Sequence, residues 1–207
     1  MNNYKTKLNK IFSEDSYTSM DQINSDSRSL NIYNKSAQEL NRYLQKIGKY
    51  KLYLYMHIHD SELNNETYKI ISTYDNLRVL HIDHSTQITD QGLSHLSTLK
   101  YLMYLHLRLN RNEITNEGLK HLQLLSKLMH LDLINANITD EGLKYLIPLR
   151  NLTVLHIGYV NMTDRGLKCL ESLKNIEYLF IYNNGNITKQ GIRQLKQTLS
   201  NTRVLVL

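Results

Sequence analysis

From Leu77 to Leu207 the apolar residues follow two alternating rhythms. In the stretch Leu128-x-x-Leu131-Asp132-Leu133, apolar and polar positions alternate at period two. That spacing puts one set of side chains on each face of a short strand. The following residues, Leu143, Leu146 and Leu149, recur every third position and predict a short helix with one buried stripe. Thr139 stands where a helix N-cap is expected, its hydroxyl placed to accept from a first-turn amide. Gly142, three residues on, is expected to let neighbouring backbone come close.

The same unit recurs. Gly92, Gly118, Gly142, Gly166 and Gly191 fall into one column at steps of 26, 24, 24 and 25 residues. Each follows an Ile-Thr or Met-Thr pair, from Ile88-Thr89 to Ile187-Thr188. A strand and helix this short cannot bury their apolar faces alone, but stacked copies bury them as one continuous core. A period of about 20–29 residues therefore predicts a solenoid. The frame extends upstream with decay: Met56-His57-Ile58 precedes Leu80-His81-Ile82, and Thr67 stands where the glycine would be. Residues 36–47, followed by Gly48, read as a capped helix with Leu40, Leu44 and Ile47 on one stripe. The expected organisation is a polar segment over 1–27, disordered or capping, and an N-terminal capping unit over 28–52 with Leu30-Asn31-Ile32 as its strand. About six repeats over 53–207 follow, the last truncated. Val204, Leu205, Val206 and Leu207 read as the start of another strand, an open edge suited to pairing with a second copy of the chain.

The run Leu-x-x-Leu-x-Leu followed by Ile-Thr-Asp-x-Gly-Leu-x-x-Leu resembles a leucine-rich repeat. It is similar to the Gly-Leu-x-x-Leu subtype of F-box-associated repeats and of bacterial repeat proteins, among them effectors delivered into host cells. The resemblance covers residues 77–207 firmly and 50–76 loosely. It implies an α/β solenoid, a right-handed horseshoe arc with parallel strands on the concave side and short helices on the convex side. It also implies a protein–protein interaction role, with virulence and host–pathogen interaction as the setting. Residues 1–50 show no F-box-like leucine pattern, so an adaptor role in ubiquitin-related complexes is only an alternative, as is assembly through the C-terminal edge. The family's asparagine after the strand is present as Asn110 and Asn184, with Ser85, Ala136 and Val160 elsewhere.

Composition narrows the setting. No run of eighteen apolar residues marks a membrane span, and the N-terminus lacks the apolar core of a secretory signal. One cysteine, Cys169, cannot form an internal disulfide, which favours a reducing compartment: the cytoplasm, or a host cytoplasm reached by a signal-independent route. The net charge of +6 permits an acidic partner. It does not single out nucleic acid, because many lysines, such as Lys120, Lys144 and Lys168, map to the outer helices. Three of the five Asn-x-Thr sequons, at Asn137, Asn161 and Asn186, sit at one repeat position, where a turn and a helix cap explain them.

The polar strand positions are where candidate chemistry gathers. They are Tyr55, His57 and His59; His81 and Asp83; Tyr104, His106 and Arg108; His130 and Asp132; His156 and Tyr159; Tyr178, Phe180 and Tyr182. Seven of the nine histidines fall on this face, His84 among them, where even scatter would leave about one. Three readings stand. Imidazole stacks well between neighbouring strands and was copied with the repeat. Alternatively the residues form an aromatic recognition trough with Arg108, its hot spot at the tyrosine-rich C-terminal end. In the third, His81 and His106 share a Zn²⁺ with His57 or Asp132, a reading that ranks below the other two. The expectation adopted is a protein-binding face with no catalytic residue, metal or cofactor. No nucleophile–base pair or phosphate-cradling glycine loop is evident, so no enzymatic activity is expected. The imidazoles are expected to titrate together and to add positive charge below about pH 6.5, tightening an acidic partner. Arg108 is placed to pair with Asp83 and Asp132.

Overall fold

The computed structural model describes residues 29–47, 54–85, 88–108, 113–182 and 185–207. Among the described residues, eight strands alternate with seven helical segments. The strands are β1 (Ser29–Tyr33), β2 (Tyr55–His59), β3 (Val79–Asp83), β4 (Tyr104–Arg108), β5 (His130–Ile134), β6 (Val154–Gly158), β7 (Tyr178–Tyr182) and β8 (Arg203–Val206). The helices are α1 (Ala37–Ile47), α2 (Asn65–Ile71), α3 (Asp90–Leu96), α4 (Asn116–Leu122), α5 (Asp140–Leu143, continued as a 3₁₀ turn over Lys144–Leu146), α6 (Asp164–Leu170) and α7 (Lys189–Thr198). All strands pair in parallel, in chain order, in one sheet. The chain thus advances one strand per coil. The described residues 29–33 already form a strand of the sheet, and α1 buries the expected stripe of Leu40, Leu44 and Ile47. Residues 1–27 and Gly48 lie outside the described residues.

Alternate strand residues, such as Leu80 and Ile82 or Leu131 and Leu133, join the helix leucines in one continuous core. Five strand ends carry a residue in the left-handed region: Asn34, Asp60, His84, Asn135 and Tyr159. Each turns the chain out of the sheet towards its helix. Asparagine and aspartate tolerate that conformation, whereas a tyrosine there is strained.

The Thr-Asp-x-Gly signature is a staple between coils as much as a cap. Asp90 accepts from the backbone amide (2.8 Å) and hydroxyl (2.6 Å) of Thr115 in the next coil. Asp140 does the same for Thr163, and Asp164 for Thr188. Thr89, Thr115, Thr163 and Thr188 also accept from their own helices' amides. Thr139 departs from expectation: it is the N-cap residue without a cap bond, and its hydroxyl accepts from the Asn116 side-chain amide at 2.9 Å. The expectation for Gly142 is likewise corrected. A Cβ there would run into the Asn116 side chain and Leu119, not backbone, so the glycine makes room for the preceding coil's staple. Further upstream a serine ladder stands in for the asparagines: Ser61 Oγ accepts from the Lys35 amide (3.1 Å), and Ser85 Oγ from the Ser61 amide (3.2 Å). Asn110 and Asn184 lie outside the described residues.

At the far end β8 pairs with β7, leaving Val206 and Leu207 47% and 67% exposed while Val204 is buried.

Candidate functional site

Because side chains alternate across a strand, every second residue points away from the helices. Register then sorts these residues into columns across the sheet. The middle column runs Asn31, His57, His81, His106, Asp132, His156, Phe180, Leu205. One flanking column runs Ser29, Tyr55, Val79, Tyr104, His130, Val154, Tyr178, Arg203. On the other flank His59 lies beside Tyr33 and Asp83, with Asp83 in turn beside Arg108, and Gly158 lies beside Ile134 and Tyr182. The structure therefore brings the expected residues onto one face in register. Tyr159 lies just beyond β6, 55% exposed. The Arg108 side chain lies outside the described residues, so its expected pairing with Asp83 and Asp132 does not enter the geometry.

The rings form a connected stack. Tyr33 stacks on His59 at 5.1 Å, and His57 on His81 at 5.3 Å. His81 meets His106 at 4.1 Å between centroids. Tyr104 covers His130 at 4.1 Å, His130 lies 5.2 Å from His156, and His156 stacks on Phe180 at 4.1 Å. The His156 Nδ1 is 3.1 Å from the Tyr182 hydroxyl. Gly158 permits this approach, because a Cβ there would overlap Tyr182 side chain and backbone.

Stacking removes water from the imidazoles, and burial disfavours the charged form. Burial, with the neighbouring histidines adding to it, pushes His57 down to about 4 and His81 to about 2. Burial likewise lowers His130 to about 3, with His156 adding and Asp132 opposing. His156 is lowered by burial despite Asp132. The expected gain of positive charge below pH 6.5 is therefore corrected for His57, His81 and His130, which burial keeps neutral between pH 6.5 and 5.

Asp132, 4% exposed, is the one middle-column carboxylate. Burial works against its charge, but the hydrogen bond from His106 and that residue's proximity hold its carboxyl below the ordinary range. The His106 Nδ1 lies 2.8 Å from Asp132 Oδ2. An ionised carboxylate only accepts, so Nδ1 carries the proton and Nε2 is left as a bare lone pair in the uncharged ring. The Nε2 atoms of His81 and His106 are both buried and without a hydrogen-bond partner. One donor atom from each of His81, Asp83 and His106 lies within 4.8 Å of the other two. The acid facing both imidazoles is thus Asp83. Of the third ligands named by the metal reading, Asp132 instead accepts from Nδ1 of His106, and the three-residue group contains Asp83 in place of His57.

The helix side offers different chemistry. Lys120 pairs with Glu117 and Lys144 with Glu141 within their own helices. Cys169 is half-buried, and burial beside Asp140 and Glu141 pushes its thiol above the ordinary value, away from a nucleophilic thiolate. No described helix is long and apolar enough to cross a membrane.

The family model described as Leucine Rich repeat matches residues 95–122, 125–146 and 149–170. These stretches enclose α4 with β4, and the β5–α5 and β6–α6 units. The fold is a leucine-rich-repeat solenoid. Among solved structures, an internalin (inlF) from Listeria monocytogenes superposes with a TM-score of 0.64 at 19% identity, over 85% of this chain and 47% of that chain. The chain thus spans about half the length of that internalin. A leucine-rich-repeat protein of Leptospira interrogans is 17% identical over 76% of this chain and 50% of its own, with a TM-score of 0.46. No curated protein matches the chain.

Proposed function

We propose that this leucine-rich-repeat chain is a non-enzymatic interaction module that binds a protein partner on the open face of its sheet. The fold itself points to a protein–protein interaction module. The observation that carries the choice of face is the ring stack from Tyr33 to Tyr182, held in register by parallel pairing. Rings locked against one another lose little freedom on binding, so more of the contact energy becomes affinity. The half-exposed tyrosines at the C-terminal end supply amphipathic anchors. Tyr159 is the best single candidate: it is largely exposed and held in a left-handed conformation that costs stability. The motif resemblance suggests a bacterial effector working in a host cytoplasm as the setting.

The test compares capture of host-cell proteins by the full chain and by variants. Tyr104 and His130 are buried in the stack and serve as architecture, so the informative pair is Tyr159→Ala with Tyr178→Ala. The control is Leu124→Ala, 59% exposed among the helix-side turns. Each hot-spot truncation costs about 2 kcal/mol, so the double variant should lose tenfold or more of its affinity for the captured partner. The Leu124 variant should capture normally. Capture that survives the double variant, or that fails with Leu124→Ala, contradicts the proposed face.

A further inference from the structure

We propose that His81, His106 and Asp83 form a site for a single divalent transition-metal ion of the zinc class, with Asp132 orienting His106 from behind. Three observations converge on it. The first is proximity: strand pairing places His81 and His106 directly opposite, and Asp83 is two residues along β3 on the same face. One donor from each already lies within 4.8 Å of the others, and His81 Nε2 is 3.8 Å from Asp83 Oδ2. Ligands around tetrahedral zinc stand about 3.4 Å apart, given bonds of about 2.0–2.1 Å, so side-chain rotation of about an ångström closes the set.

The second is the state of the nitrogens. Buried nitrogens normally find hydrogen-bond partners. Here the Nε2 atoms of His81 and His106 are buried without one. With the ring proton on Nδ1, a neutral imidazole presents a lone pair at Nε2, and a metal ion would satisfy both nitrogens at once.

The third is the support behind the ligand. Metal-bound histidines characteristically donate their other ring N–H to a carboxylate, which fixes the ring and raises its basicity. His106 does so to Asp132 at 2.8 Å. Two carboxylates, one ligating and one behind, balance a divalent charge. The side chains of His81, Asp83 and His106 keep 20%, 18% and 13% of their exposure, so the cluster lies near the surface of the open face. Two imidazoles favour zinc, cobalt, nickel or copper over magnesium or calcium.

This inference stands apart from the partner-binding proposal, and its test needs no partner. The full chain, stripped with chelator, is titrated with Zn²⁺ by calorimetry and with Co²⁺ by visible absorption. One equivalent should bind, with ligand-field bands for Co²⁺ and a rise in melting temperature. His81→Phe and His106→Phe keep a ring in the stack, as Phe180 does in the same column, and should each abolish the stoichiometric site. Asp132→Asn should weaken binding about 10- to 100-fold while leaving one equivalent. His156→Phe, outside the set, should bind as wild type. Circular dichroism is the check that each variant is folded. A variant that fails to fold is replaced by its glutamine counterpart. Absence of stoichiometric binding by the wild type overturns the proposal, as does binding that persists in both His81→Phe and His106→Phe or disappears in His156→Phe.

Discussion

The two halves of the open face use the same columns to opposite ends. Across β2 to β4 the middle column is three imidazoles in succession, and the Nε2 atoms of His81 and His106 are hidden yet unbonded. Across β6 and β7 the same column holds His156 and Phe180, and the lone imidazole there reaches the Tyr182 hydroxyl. Asp132 on β5 divides them, bonded to His106 on one side. Backbone register is identical in both halves, so the difference comes from neighbours alone. A histidine beside histidines and a carboxylate becomes a donor of lone pairs, while a histidine beside phenylalanine and tyrosine becomes part of an apolar, hydrogen-bonded surface.

Beneath the face the halves should be alike. Leu107 under the first and Leu155 under the second are both fully buried in one core. Each Leu→Ala change should cost about 3 kcal/mol in chemical denaturation. A difference between them larger than the usual spread of such values would mean that the halves differ in packing and not only in surface chemistry.

Acid sensitivity sharpens the contrast. His130 has a folded pKa near 3, below its ordinary value of 6.5, so the unfolded chain takes up the proton first. Its stabilising contribution is therefore complete above about pH 6.5 and is lost as pH falls towards its folded value. By pH 5 the loss amounts to about 2 kcal/mol. His130→Phe, studied in chelator, should flatten the stability profile between pH 6.5 and 5 by that amount. An unchanged slope would show that the ring is not held neutral by burial.

Smaller effects probe the aromatic half. Gly158→Ala should push Tyr182 away and break its bond to His156, costing about 1–3 kcal/mol by overpacking and altering tyrosine fluorescence. Tyr159→Asn relieves a left-handed tyrosine and should leave stability within about 0.5 kcal/mol of wild type or slightly raise it. A large loss there would show that Tyr159 is a packing residue and not a displayed one.

Much of this was legible in the leucines. Period two and period three fixed strands and helices, and the alternation assigned His57, His81, His106 and His156 to one face. What escaped the sequence depended on which atoms meet between coils. Thr139 read as a cap because a threonine before a helix usually is one, yet Asn116 from the previous coil claims its hydroxyl. The glycines read as points of backbone approach, yet Gly118, Gly142, Gly166 and Gly191 clear space for the Asp90, Asn116, Asp140 and Asp164 side chains of the preceding coil. Asp83 and Asp132 were both visible, but a carboxylate's direction is set by packing, so the sequence put Asp132 with His57 as the third partner of His81 and His106 and Asp83 only beside Arg108. The histidine charges were misjudged for a related reason: a sequence shows titratable rings, not the rings stacked over them.

Burial within the stack keeps His57, His81 and His130 uncharged, and the bond to Asp132 puts a proton on Nδ1 of His106. Long-range nitrogen–proton NMR correlation of the histidine rings at pH 6 in chelator tests this directly. The prediction is neutral rings for His57, His81 and His130, and a proton on Nδ1 of His106 towards Asp132. Imidazolium signatures for His57, His81 and His130 at that pH, or an Nδ1 of His106 without its proton, would contradict it.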